Sequence, residues 1–305
     1  MKKFVLKCLC FFIASYFLSL IIDIVISKNV QPSGLFISWQ DLYSGDIDAD
    51  LLIIGSSRTQ YGFNTKIIED SLHIKTYNLG LTSARIQIDY IRLLEQLRLG
   101  KHKPKYVTLE IDFVTIEKKN RLDCHWQLFP YMLYNKTIYK YSHNMDGYKK
   151  GYYFCPLARY YGNFSDLITN SISDINIGYY KGYWPMNEPF NGTRFTTKDT
   201  IKIDSPQIEL LSEFINTCKG NDIKLNFVYS PEYYLISHNI TNRDSITNII
   251  KNIAQRNDIP FADISTPPFS TDTTFFFDMR HLNSLGADKF TSEYYVPWIK
   301  ELYGL

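Results

Sequence analysis

The sequence lacks a surplus of either charge: 33 lysines and arginines against 31 aspartates and glutamates leave a net +2 over 305 residues. Without a cationic excess there is no electrostatic footprint for nucleic acid, and that function class is set aside. Cysteine is scarce. Of the five, Cys8 and Cys10 fall in an apolar N-terminal run, which leaves Cys124, Cys155 and Cys218, an odd number with no pair at metal-ligand spacing. The six histidines are scattered, so neither a metal site nor a cofactor is expected. A bridge between Cys124 and Cys155 is open if this part lies in an oxidising compartment, but spacing does not establish it. Repeats and low-complexity tracts are also missing. What remains, 45% hydrophobic and 16% aromatic residues, excludes a disordered chain and suffices for one substantial core with room for an inserted subdomain.

One long hydrophobic run is present. Residues 4–26 are uncharged and mostly apolar apart from Lys7 and Asp23 near the two ends; as a helix they extend about 34 Å, enough to cross a hydrocarbon core of ~30 Å. No Ala-x-Ala-like cleavage site follows, and the run exceeds a signal-peptide core, so residues 1–28 read as an uncleaved anchor with a short stub. Lys2, Lys3 and Lys7 precede the span while Lys28 alone follows closely. This asymmetry predicts a single-pass membrane protein with a cytoplasmic N-terminus and an extracytoplasmic folded part. A polar linker is expected over 29–45 and the folded part over 46–305.

Within that part, residues 50–55, 75–80, 106–111, 223–229 and 260–264 read as strands, the first a continuous apolar run ending in Gly55. Helical periodicity fills 84–99, 208–218 and 246–255. Strand alternating with helix predicts an α/β fold, a flavodoxin-like three-layer sandwich on a parallel sheet, with ligands beyond the carboxyl ends of the strands. Gly55, Gly80 and Asp112 would fall there. Over about 117–199 the rhythm stops and tyrosine, tryptophan and phenylalanine accumulate, as in Tyr131, Tyr134, Tyr152, Tyr160 and Trp184. This aromatic-rich insertion either builds a satellite core or lines a groove for a sugar or an extended chain.

Two short patterns carry chemistry. Ile54-Gly55-Ser56-Ser57-Arg58 sets a serine pair where a strand ends and a helix begins; alone it is also consistent with a turn and a helix cap. Asp278-Met279-Arg280-His281-Leu282-Asn283-Ser284-Leu285-Gly286-Ala287 precedes the last helical stretch. Aspartate and histidine three residues apart can fold into one turn, the carboxylate holding one imidazole nitrogen while the other serves as general base. Asn283 reads as an N-cap.

Together these residues resemble the SGNH or GDSL hydrolase superfamily, whose pattern is a Gly-x-Ser turn after the first strand and Asp-x-x-His before the last helix. The resemblance spans Asp50 to the C-terminus with the insertion between. It implies Ser57 as nucleophile, with Ser56 in the variable middle position, His281 as base, and Asp278 as the residue orienting the base. It also implies Gly80 of Tyr77-Asn78-Leu79-Gly80 as an oxyanion donor beside the Ser57 amide. The asparagine that such enzymes carry in a third block is replaced here: the strand end reads Leu109-Glu110-Ile111-Asp112-Phe113. An ionised aspartate cannot donate. Arg58 or Arg85 is expected to pair with Asp112 and to offer a guanidinium near the site in its place.

Serine in the middle position of Gly-x-Ser, with the N-terminal anchor, resembles the envelope branch of the superfamily, which includes the D-alanyl transfer protein of teichoic acid modification and the alginate O-acetylation proteins. That resemblance implies ester hydrolysis or O-acyl transfer on an envelope polysaccharide or acylated polymer, beside a membrane-bound O-acyltransferase as partner. The alternative is a glycan-binding or scaffold protein that keeps the fold without catalysis.

Overall fold

The computed structural model describes residues 1–29, 36–118, 125–162, 178–192 and 198–305. They form two compact units, one from residues 1–40 and 120–175, the other from 41–119 and 176–305. The first begins with the long helix α1 (Lys2–Asn29). Next comes α2 (Ile37–Ser44), in the stretch read from sequence as a polar linker; Phe36, Trp39 and Leu42 are buried there, and burial of these large apolar side chains favours a helix over an extended tether.

The larger unit opens with β1 (Leu51–Ile54), α3 (Ser57–Gly62), α4 (Thr65–Leu72), β2 (Thr76–Asn78), α5 (Ile86–Leu99) and β3 (Tyr106–Glu110). Among the described residues of the smaller unit, the short α-helices α6 (Phe129–Met132), α7 (Lys136–Ser142) and α8 (Gly151–Phe154) follow. The larger unit then resumes with α9 (Ser205–Gly220), β4 (Lys224–Tyr229), α10 (Tyr234–Asn239), α11 (Arg243–Arg256), β5 (Phe261–Asp263), α12 (Ser284–Phe290) and α13 (Val296–Tyr303).

All five strands are parallel, in the order β2-β1-β3-β4-β5. Leu51, Leu52, Ile53 and Ile54 are completely buried, as a central strand covered on both faces requires. Each strand lies within the run predicted for it. Strand order reverses between β1 and β3, so the loops leaving these two strands flank the crevice where ligands of such sheets sit.

The expected insertion is divided. Phe129, Met132, Ile138, Tyr152 and Tyr160 are buried and form a satellite core in the smaller unit, whereas residues 178–192 belong to the α/β unit. There the Asn78 N–H donates to Lys181 O at 2.9 Å, Trp184 N–H to Gln60 O at 3.0 Å, and Ser284 N–H to Met186 O at 2.7 Å. Gly182, at φ +86°, lets this segment lie against the Asn78 carbonyl; any side chain at that position would overlap it. Cys124 lies outside the described residues, and with it the bridge to Cys155 that the sequence leaves open.

Candidate active site

The first loop is built by glycine and serine. Gly55 takes φ +151°, and a Cβ there would press on Thr59 Oγ1 and Glu110, so the chain can leave β1 and turn at once into α3. Ser56 caps that helix: its Oγ accepts the Arg58 N–H at 3.3 Å. Ser57 is the first residue of α3. The residue is half-buried.

The last loop is built by Asp278 and Asn283. Asp278 Oδ1 accepts the N–H groups of Arg280 and His281 at 2.7 and 2.9 Å, closing the turn. The same carboxylate receives the His281 ring, with Nδ1 2.9 Å from both oxygens. Asn283 Oδ1 accepts the Gly286 N–H at 3.0 Å to cap α12, while its Nδ2 donates to Thr274 O at 2.7 Å. Sequence reasoning predicted this cap; the second bond, which holds the loop from behind, had no signal in the sequence.

The two loops converge. His281 Nε2 is 2.7 Å from Ser57 Oγ, so alcohol, imidazole and carboxylate stand in an unbroken hydrogen-bonded line. Tyr61, one turn along α3, meets the imidazole edge to face at 5.6 Å and 76°. Burial pushes the Asp278 carboxyl upward, but the His281 hydrogen bond and charge, with the two backbone N–H groups, bring it below the usual aspartate value. It is therefore ionised at neutral pH, as a residue orienting a base must be.

The residues expected around an oxyanion are arranged otherwise. Gly80 N–H donates to Asn78 Oδ1 at 2.8 Å and is thus already engaged; the glycine is needed because a Cβ would strike Thr59 and the Gln60 amide. Asn78 supplies the link between β2 and α3, its Nδ2 donating to Thr59 O at 2.7 Å and Phe63 O at 3.1 Å. The guanidinium of Arg58 does not reach solvent or substrate. It is buried, with Nε 3.1 Å from Glu110 Oε1 and Nη1 3.0 Å from Glu232 Oε2, and it also donates to Ser230 and Pro231 carbonyls. Asp112 is buried too: Oδ1 accepts the Val114 and Thr115 N–H groups, and Oδ2 lies 3.8 Å from both Arg58 and Arg280. Arg85 pairs with Glu117 at 2.9 Å instead of with Asp112. The Ser57 N–H, at the open end of α3, has no acceptor among the described residues.

Behind the serine turn, therefore, lies a charge cluster that sequence reasoning missed. Ser230 Oγ donates to Glu110 at 2.8 Å, and Glu232 binds both Tyr229 OH at 3.2 Å and Arg243 Nε at 2.8 Å. Burial raises Glu110 to about 7, the Arg58 charge pulling down and the Asp112 charge pushing up. Burial alone would lower Arg58, yet its three acidic neighbours raise it, so this guanidinium is permanently charged. A recess of about 110 Å³, lined by Phe113, Ile201, Ile236, Ile240 and Arg280 among others, opens beside the final loop.

No family model and no curated protein matches the chain. Among solved structures it is similar to a provisionally assigned acylhydrolase of Bacteroides fragilis, at 12% identity over 82% of this chain and 86% of that one, TM-score 0.40. An acetyl xylan esterase is similar at 12% identity over 82% and 98% of the two chains, TM-score 0.43. A family two carbohydrate esterase of Clostridium thermocellum, in complex with cellohexaose, is similar at 10% identity over 83% and 64%, TM-score 0.37. Similarity at this level assigns neither a family nor an activity to the chain.

Proposed function

We propose that this chain is a serine-dependent acyl-ester hydrolase or O-acyltransferase of the SGNH type, anchored in a membrane by α1 and acting on an envelope polysaccharide. The observation that supports it best is the hydrogen-bonded line from Ser57 Oγ through His281 to Asp278. A free serine hydroxyl is a weak nucleophile at neutral pH, and a base within hydrogen-bond reach is what activates it.

In this reading His281 Nε2 takes the proton as Ser57 Oγ attacks the ester carbonyl, and Asp278 stabilises the imidazolium. The Ser57 N–H faces the developing oxyanion. Collapse of the tetrahedral intermediate breaks the ester bond, and His281 returns the proton to the departing alcohol, leaving an acyl-Ser57. Water or a sugar hydroxyl then gives its proton to His281 and attacks the acyl carbon; the second tetrahedral intermediate collapses by breaking the bond to Ser57 Oγ, which takes the proton back from His281. The products are a free acid in the first case and a new ester in the second.

The α1 helix is long and apolar enough to cross a membrane. With the lysines at its start, it supports a cytoplasmic N-terminus and an extracytoplasmic catalytic unit, beside a membrane-bound O-acyltransferase that supplies acyl groups. Turnover of p-nitrophenyl acetate by the full chain in detergent should vanish in Ser57→Ala and persist in Ser56→Ala; persistence in Ser57→Ala rejects the mechanism.

The engaged Gly80 N–H favours a second reading, a glycan-binding scaffold, because it leaves the oxyanion fewer donors. Polysaccharide binding unaffected by loss of Ser57 and His281, with no ester turnover, would select it.

A further inference from the structure

Outside α1, the described residues 125–162 of the smaller unit leave three aromatic side chains exposed beyond its satellite core: Tyr134 is 48% exposed, Phe154 57% and Tyr161 85%. Bonds to α1 fix their level along that helix. Asp23 is its one buried residue, and its carboxylate receives Arg159 Nη1 at 2.8 Å, Nη2 at 2.6 Å and the Leu157 N–H at 2.7 Å. Arg159 Nε is spent on the Phe129 carbonyl. An ion pair satisfied in this way locks the register of the helix, since sliding by one turn would strand both charges.

Seven residues toward the N-terminus, the Tyr16 hydroxyl meets the Tyr134 hydroxyl and lies 3.5 Å from Phe154 O. At a rise of ~1.5 Å per residue, that contact is roughly 10 Å from Asp23 along the axis. In the other direction, Ser27 Oγ is 2.6 Å from the hydroxyl of Tyr160, the neighbour of Tyr161. This is roughly 6 Å beyond Asp23 on the opposite side.

The depth follows from length. A hydrocarbon core takes about 20 helical residues, so a span that starts near Phe4 ends at Asp23, whose charge is met there by Arg159. Tyr134 and Phe154 then lie at the level of acyl chains, and Tyr161 at the level of headgroups, where amphipathic rings are favoured. Non-helical backbone at that depth must bond internally; Tyr134 N–H donates to Tyr153 O at 2.8 Å, and α8 closes with Cys155 N–H on Gly151 O at 2.8 Å.

We infer that this unit is a collar seated in the outer leaflet, with Tyr134 and Phe154 inserted among acyl chains and Tyr161 at the headgroup boundary. Its occupant is bilayer hydrocarbon, which a glycan cannot replace at that level. The inference rests on α1 being a membrane span. The exposed Cys155 beside Phe154 permits a direct test in full-length chain with Cys8, Cys10 and Cys124 changed to serine and the buried Cys218 kept.

A nitrobenzoxadiazole label on Cys155, in vesicles of phosphatidylcholine and phosphatidylglycerol, should be quenched several-fold more by lipids carrying a mid-chain doxyl group than by aqueous iodide. The same label on Tyr161→Cys, with Cys155 also replaced, should reverse that preference. If the chain floats with vesicles through alkaline carbonate but iodide quenches both labels alike and doxyl lipid neither, the collar is refuted while the anchor stands. Extraction by carbonate would refute the anchor and the collar with it.

Discussion

Arg58 Nη1 stands 3.0 Å from Glu232 Oε2, so the residue that follows Ser57 is tied to the loop leaving β4. The tie is buried on both sides, with Glu110 held by the same guanidinium, and it fixes the turn carrying the hydroxyl without exposing a charge to substrate. The cluster therefore acts on the rate only through position.

Replacing the arginine would strip buried Glu110 of its cation, leaving it the Ser230 hydroxyl, while Glu232 would keep Arg243 and Tyr229. Arg58→Met should destabilise the chain by about 3–5 kcal/mol, and Arg58→Lys by less but measurably, because an ammonium cannot reproduce the fork. The midpoint of chemical unfolding in detergent reads both.

Asp278→Asn keeps an oxygen for the Arg280 and His281 N–H groups, so the turn and the fold should persist. It removes the charge that stabilises the imidazolium. Turnover should fall by about 10³–10⁴-fold, with unchanged unfolding midpoint and little change in KM.

Glu110 gives stability a pH dependence of its own. Its folded value, raised by burial to about 7, lies above the usual 4.5, so the folded chain holds the proton more tightly than the unfolded one. Its contribution is complete below the usual value and is lost as pH rises toward 7. Asp278, held low, works in the opposite sense and only in acid. Glu110→Gln should therefore flatten the fall in stability across pH 4.5 to 7, measured by unfolding at a series of pH values.

Gly80→Ala probes close approach. The added methyl meets Thr59 Cβ and the Gln60 amide in α3, at a cost of about 1–3 kcal/mol from overpacking. Because α3 carries Ser57, activity should fall along with the melting temperature.

Much of the sheet was legible because burial on both faces leaves unbroken apolar runs, as in Leu51, Leu52, Ile53 and Ile54. Each of the first and last loops was legible by itself, Gly55 with Ser57 as a turn and Asp278 with His281 as one turn, but their meeting across 224 residues was expected only from the resemblance to the SGNH superfamily. The partners of Arg58 were not legible. Glu110, Ser230 and Glu232 come from strand ends separated by more than a hundred residues, and nothing in the local pattern marks a carboxylate as buried. Asp112 and Gly80 misled for a related reason: a short polar side chain or a glycine at a strand end can serve a site or close a turn, and here their bonds go to Val114, Thr115 and Asn78. The partition of the aromatic stretch depends on Gly182, whose φ of +86° no periodicity reveals.

The central claim is that Ser57 becomes covalently acylated. Intact-protein mass spectrometry after exposure to a fluorophosphonate, followed by peptide mapping, tests it directly. The predicted result is one adduct, on Ser57, absent from Ser57→Ala and formed far more slowly in His281→Ala. An adduct on Ser57→Ala at the unaltered rate, or labelling indifferent to His281, would contradict it.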